Sequence, residues 1–323
     1  MNRIVLSTTL SLAAFTPFAV RGQDLPENLN RFSFGPTFGS NFKADFYNNV
    51  NPGPAAPGAN HTYNDGYVLV GSSTGMDNLT QNWNYKYASQ YNSVNDTMQF
   101  LKSGSSSVTG NPQYGGEFIY QRVIGSLPSL SGDWGIEAGF GFTELDLREN
   151  LSGAAAVDSF QLYGFPPQPG NGGISGAPQT QLNDTPMPVA ATLTGYQKLS
   201  GQMFSLRLGP FVEWKFTGKL SLAASVGLTL APTTVDYDFS ETSTLLAGGG
   251  GVMSESGHSS KTKLLYGPYV GAMLRYDFNK SWGVYVGARF QNLTDLNQSI
   301  GGRTARLDPG ATVYATAGLS WKF

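Results

Sequence analysis

Two histidines, His61 and His258, are the only side chains here whose ordinary pKa lies near neutrality, and cysteine is absent. Without cysteine there is no thiol nucleophile, no disulfide and no thiolate metal ligand. His258 stands among Ser254, Ser256, Ser259 and Ser260. A hydrolytic triad needs a base held by an orienting group, and neighbouring serines in a Gly/Ser-rich stretch do not supply one. No His-Glu-x-x-His helix motif or phosphate-cradling glycine loop occurs. Catalysis, a resident metal and a cofactor are therefore not expected. Glu144, Asp146, Glu149, Asp236, Asp238 and Glu241 supply the oxygen ligands that Ca²⁺ or Mg²⁺ prefer. No ligand spacing singles out a site, and a solvated acidic rim is the expectation.

The remaining chemistry lies in charges placed at alternate positions of apolar segments. Glu137, Arg207, Glu213, Lys215, Arg275, Asp277, Arg289 and Lys322 fall on one parity, as does Lys43, and large apolar residues fall on the other. That is the period of a β-strand. Eight such segments can be read. They begin at Arg31, about Tyr114, Trp134, about Phe204, Leu220, Leu264, Trp282 and Ala311. The first is read as Arg31 to Ala44, with Phe32, Phe34, Pro36, Phe38 and Phe42 on one face. The second, Tyr114 to Ile124, alternates poorly, because Phe118 and Tyr120 share parity with Arg122.

The connections sort by length. Three are short: Gly125 to Asp133, Thr217-Gly218-Lys219 and Asn279-Lys280-Ser281. Four are long, at about 45–113, 149–201, 240–263 and 296–310. Short and long alternate, as in transmembrane β-barrels with tight periplasmic turns and long extracellular loops. Composition agrees. The chain is 13% charged and 13% aromatic, with 41 glycines, whereas soluble domains carry about 25% charged residues. A net charge of −2 gives no footing for nucleic acid. The expectation is an all-β, closed antiparallel transmembrane barrel of eight strands. Ten strands result if Gly66 to Val70 and Trp83 to Tyr87 join the ring rather than forming a ledge outside it.

Both ends of the chain carry addresses. Met1-Asn2-Arg3, the apolar Ile4 to Val20 and the small residues that follow read as a secretory signal, residues 1–22, leaving a barrel domain of 23–323. The last strand, with Thr316, Gly318, Trp321 and Phe323 at alternating positions, resembles the C-terminal assembly signal of Gram-negative outer-membrane β-barrels. The whole pattern resembles small barrels of the OmpA and OmpW type. The resemblance implies an outer-membrane location, both termini in the periplasm, and contact with outer-membrane lipid, lipopolysaccharide and the barrel-assembly machinery.

An eight-stranded interior is just wide enough to be filled by side chains. Mixed charges in so narrow a space must pair, since an isolated buried charge is very costly. Two readings stay open, a salt-bridged structural plug and a narrow polar pore. A third places the function outside. Tyr67, Trp83, Tyr85 and Tyr87 sit among Asn and Gln, so they could stack on an extracellular glycan or other ligand, or pack the first loop onto the rim. Gly35-Pro36, Gly209-Pro210 and Gly267-Pro268 recur inside strands, where proline removes a ladder bond, and predict bulges or kinks.

Overall fold

A computed structural model describes residues 30–48, 61–63, 66–71, 79–85, 91–92, 97–101, 104–110, 112–127, 131–161, 187–246, 252–300 and 303–323. The expected signal, 1–22, lies outside them, as do Tyr87 and the glycine runs 170–173 and 248–251.

Eight strands form the ring. They are β1 (Asn30–Ser40), β2 (Gln113–Leu127), β3 (Gly132–Gln161), β4 (Met187–Lys215), β5 (Leu220–Leu245), β6 (Val252–Asp277), β7 (Trp282–Gln291) and β8 (Thr312–Lys322). Each pairs antiparallel with its neighbour in sequence, and β8 pairs with β1, which closes the sheet. The result is the expected eight-stranded barrel. Asn30 and Phe323 exchange backbone bonds of 3.3 and 3.1 Å, so both ends of the ring meet at the short-turn end. His61–Tyr63, Gly66–Gly71 and Leu79–Tyr85 form a separate three-stranded sheet with no pairing to the ring. The ledge arrangement therefore holds, not the ten-stranded one.

Alternation explains the closure. Phe34, Phe140, Leu208, Leu228, Val270 and Phe290 point outward and are exposed, while Ser33, Glu137, Arg207, Thr229, Arg275 and Arg289 point inward and are buried. Thirty large apolar side chains among the described residues are exposed, whereas a soluble monomer scatters them singly. On β5 the apolar face runs from Leu220 to Leu230. Ten residues of rise at ~3.3 Å, tilted by ~40°, span about 25 Å, the height of a lipid-facing band.

The strands differ greatly in length. β3 to β6 run 30, 29, 26 and 26 residues, against 10 to 15 for the others. Much of 149–201 and 240–263, expected as loop, is thus strand. Four strands continue past the belt as a tall wall. Against its inner face packs a second sheet, the lid, ordered Leu296–Ile300, Arg303–Asp308, Lys43–Asn48 and Ser105–Thr109. The first strand is accordingly shorter than expected. The chain leaves the ring at Asn41, which takes a left-handed φ of 68°, and Phe42 and Ala44 are buried in the lid core instead of facing outward.

The three Gly-Pro steps carry no bulge. β4 pairs with β5 at Leu208↔Leu228 and again at Phe211↔Ser225, and the register is the same on both sides of the gap. Pro210 lacks the amide that would bond there. Gly209 lets the backbones close in, since a side-chain carbon on it would collide with the Val226 carbonyl. Among the described residues, the one bulge in the ring lies between Trp134 and Gly135, opposite β2.

Candidate functional site

The lumen within the belt is filled by two carboxylate centres. Glu117 of β2 accepts bonds on Oε2 from Arg207 Nη2 of β4 at 2.8 Å and Arg289 Nη1 of β7 at 2.6 Å. Glu213 accepts on Oε1 from Arg31 Nη1 at 2.8 Å, Ser221 Oγ at 2.5 Å and Arg275 Nη1 at 3.3 Å. Glu137 accepts from Gln121 Nε2 at 2.7 Å and the Tyr269 hydroxyl at 3.4 Å, and Arg275 donates to Gln121 Oε1. Arg289 also stacks on Tyr314 at 4.4 Å. Burial of an ion costs several kcal/mol. Each guanidinium here is therefore held by an anion or amide from another strand, so the plug also cross-braces the ring. Space remains for a cavity of about 20 Å³ lined by Glu117, Glu137, Arg207, Arg289, Ser225 and Gly271 among others. That is room for one or two water molecules.

Of the nine charges expected inside, Glu137, Arg207, Glu213, Arg275 and Arg289 are buried there, whereas Lys43 lies on the lid and pairs with Asp45 at 2.8 Å. The other three form a rim at the short-turn end. Lys215 pairs with Asp133 at 2.5 Å with its side chain 48% exposed, and Lys322 pairs with Asp277. Sequence reading missed Glu117, Gln121 and Arg31. Glu117 and Gln121 lie opposite in parity to Phe118 and Tyr120, a signal hidden by Arg122, which faces outward. In the last strand Thr316 points inward. Trp321 and Phe323 point outward and stack at 4.7 Å, with Phe323 5.3 Å from Phe32.

Above the belt the polarity of the strands inverts. Inward positions become apolar, with Leu145 and Leu147 on β3, Leu199 and Met203 on β4, and Val235, Tyr237 and Phe239 on β5. They pack against Phe42, Phe46, Leu296, Ala305 and Leu307 of the lid. A dry core thus seals the mouth of the barrel. One cation is buried in it: Arg303, 0% exposed, at the tip of the lid hairpin. Its Nη1 lies 2.5 Å from Glu241 Oε2, its Nη2 reaches Glu255, and the Phe239 ring lies 4.4 Å away. Gln197 links Glu241 at 2.9 Å to the Tyr237 hydroxyl at 2.9 Å. Burial pushes the Glu241 carboxyl above the ordinary carboxylate range, opposed by Arg303.

The acidic residues expected to gather near the outer strand ends do not converge. Glu144, Asp146, Asp236 and Asp238 lie on the outward face of the wall, Glu241 is buried on Arg303, and Glu149 accepts from Ser106. Asp146 pairs with Lys198 at 3.3 Å. His258 Nδ1 lies 2.6 Å from Asp238 Oδ1 on the same face, and this bond raises its pKa. Tyr67, Trp83 and Tyr85 fall on the separate three-stranded sheet.

No protein-family model and no curated protein matches the chain. Among solved structures, the outer membrane protease OmpT of Escherichia coli aligns over 92% of this chain and 97% of its own, at 12% identity and a TM-score of 0.34. Ail, the attachment invasion locus protein of Yersinia pestis, aligns over 92% and 100%, at 12% identity and 0.29. The toluene transporter TodX of P. putida aligns over 93% and 91%, at 11% and 0.21. Similarities this distant carry no argument about function, and the barrel rests on its own closed ring.

Proposed function

We propose that this chain is an outer-membrane protein whose barrel is a closed anchor. Its activity would be non-catalytic recognition by the segments beyond the belt, foremost the three-stranded sheet of residues 61–85 in the first long loop. The observation that carries this reading is the double closure of the lumen, by the centres on Glu117 and Glu213 and by the apolar lid core above them. A conducting path would have to part buried ion pairs and then a dry core, each at a cost of several kcal/mol. The exposed apolar belt supports residence in a bilayer. Meeting of the two ends of the ring, Asn30 and Phe323, at the short-turn end supports a periplasmic placement of both. The eight strands and the last strand ending on Trp321 and Phe323 support an OmpA- or OmpW-like barrel delivered by the assembly machinery.

Single-channel recording of the refolded protein in a planar bilayer tests the reading. Silence from folded, inserted protein is expected. Reproducible openings altered by Arg207→Ala would overturn it in favour of a narrow pore. Binding of lipopolysaccharide or glycans to whole cells tests the recognition role, and removal of residues 60–99 should abolish that binding while leaving the barrel inserted.

A further inference from the structure

The lid strands Leu296–Ile300, Arg303–Asp308, Lys43–Asn48 and Ser105–Thr109 continue β7, β8, β1 and β2, in the same order in which those four stand in the ring. Each continuation is broken: between Gln291 and Leu296, Asp308 and Thr312, Ser40 and Lys43, and Thr109 and Gln113. The breaks line up. The last ring pairs below them are Gln291↔Thr312, Val313↔Ser40 and Gly39↔Gln113. The first lid pairs above them are Leu296↔Leu307, Asp308↔Lys43 and Lys43↔Thr109. β3 to β6 cross the same level as continuous strands. Neighbouring breaks are tied together, by Asn41 Nδ2 donating to the Ala311 carbonyl at 2.8 Å and the Gly110 amide donating to the Phe42 carbonyl at 3.0 Å.

Among the described residues, neither edge of the lid is laddered to the wall. Beside β6 the last backbone bond runs from the Thr294 amide to the Tyr266 carbonyl at 3.1 Å. Beyond it, Lys263 Nζ donates to the Asp295 carbonyl and Lys261 Nζ to the Asn297 carbonyl, both at 2.7 Å. Beside β3 the ladder from β2 ends at Gly115↔Thr143. Above that, the Gln113 side chain exchanges bonds of 2.6 and 3.4 Å with the Asp146 backbone, and Ser106 Oγ donates to Glu149. Side-chain links follow a movement by changing rotamer. Inside the lid, by contrast, three ladders bind the four strands to one another. Arg303 pairs with Ile300 at the hairpin tip, the end away from the breaks, and sits there on Glu241 of β5 and Glu255 of β6.

We propose that the lid is a hinged flap, which swings as one four-stranded body about this line of breaks and is latched by Arg303. Hinges are a few element-terminal residues that absorb the change in backbone angles, and here four such sites lie side by side. The apolar core and the latch keep the flap shut. A swing uncovers the apolar faces of wall and lid, Leu145, Leu199 and Val235 on one side and Phe46 and Leu307 on the other. The centres on Glu117 and Glu213 stay in place beneath. An open flap is therefore an exposed apolar cleft and not a pore.

Hydrogen exchange of the full refolded chain reads the flap. The slowest amides of 43–48, 105–109, 296–300 and 303–308 should share one opening equilibrium, while those of β1 and β8 in the ring stay protected. Arg303→Met should raise exchange in all four strands together, by several-fold. The chain has no cysteine, so Ser106→Cys with Glu149→Cys supplies the only thiols, and a short bifunctional thiosulfonate bridges the β3 edge. That bridge should slow exchange several-fold in 296–300, at the opposite edge of the lid, and its reduction should restore the original rate. Protection confined to 105–109 would overturn the flap. So would lid strands that open separately in the unaltered protein, or a lid that exchanges only together with the ring.

Discussion

Glu117 and Arg207 meet at 2.8 Å across the lumen, from strands 90 residues apart in sequence that are not neighbours in the ring. The same carboxylate oxygen also takes Arg289 from a third strand. One acid therefore ties β2, β4 and β7 together through the interior, where no backbone bond can reach. Glu117→Gln should destabilise the barrel by about 3–5 kcal/mol, since it leaves two buried guanidiniums without their anion. Lys219→Gln removes an exposed turn charge and should cost under about 1 kcal/mol. Urea midpoints of the vesicle-bound protein distinguish the two.

Arg303 holds the lid in the same manner. Arg303→Met would strand Glu241 and Glu255 in the core, and the lid should detach while the ring persists. Limited proteolysis should then cut within 296–308 of a protein that keeps its heat-modifiable mobility on gels. Uncut protein would show that the apolar core alone secures the lid.

The lid should also respond to pH through Glu241. Its carboxyl is raised by burial, so the folded lid binds the proton more tightly than an opened one. That contribution is fully present in acid and is lost as pH rises through the raised value, above the ordinary carboxylate range. Hydrogen exchange of 296–308, corrected for intrinsic rates, should show faster opening toward neutral pH. Glu241→Gln should flatten the dependence.

His258 offers an independent check on the outer wall. The Asp238 bond holds its pKa above the ordinary histidine value. Asp238→Asn should bring the ring's titration down, read from its imidazole resonances. An unmoved titration would mean that the two side chains do not meet in solution.

Gly209→Ala should be poorly tolerated, because its new carbon would meet the Val226 carbonyl across a seam that already lacks the Pro210 amide. Gly218, in the turn, has nothing within 4 Å of such a carbon, and Gly218→Ala should change stability by less than about 0.5 kcal/mol. Refolding yield into vesicles compares them.

Much of the ring was legible from residues alone. From Trp134 onward, large apolar residues alternate with small or charged ones over enough positions to set which face each residue takes, and the short turns mark where strands reverse. Reading failed where that alternation was masked or reversed. Arg122 faces outward near the belt's edge, where a long stem can carry its charge to water, and its parity concealed Glu117 and Gln121. Beyond Leu230 the apolar residues change sides, to Ala231, Val235, Tyr237 and Phe239. A rule tuned to lipid outside and polar inside treats that reversal as the end of a strand.

The sequence by itself determined a closed β-ring with one apolar and one polar face, because a period of two acts locally along each strand. Only the tertiary structure decided which charges meet and that the mouth is shut. Glu117 finds Arg207 and Arg289 through the curvature and stagger of eight strands. The lid finds its place through Arg303, a charge on the buried face that it shares with Ala305 and Leu307, on carboxylates 48 and 62 residues earlier. Ring geometry fixes such partnerships, and no local pattern encodes them.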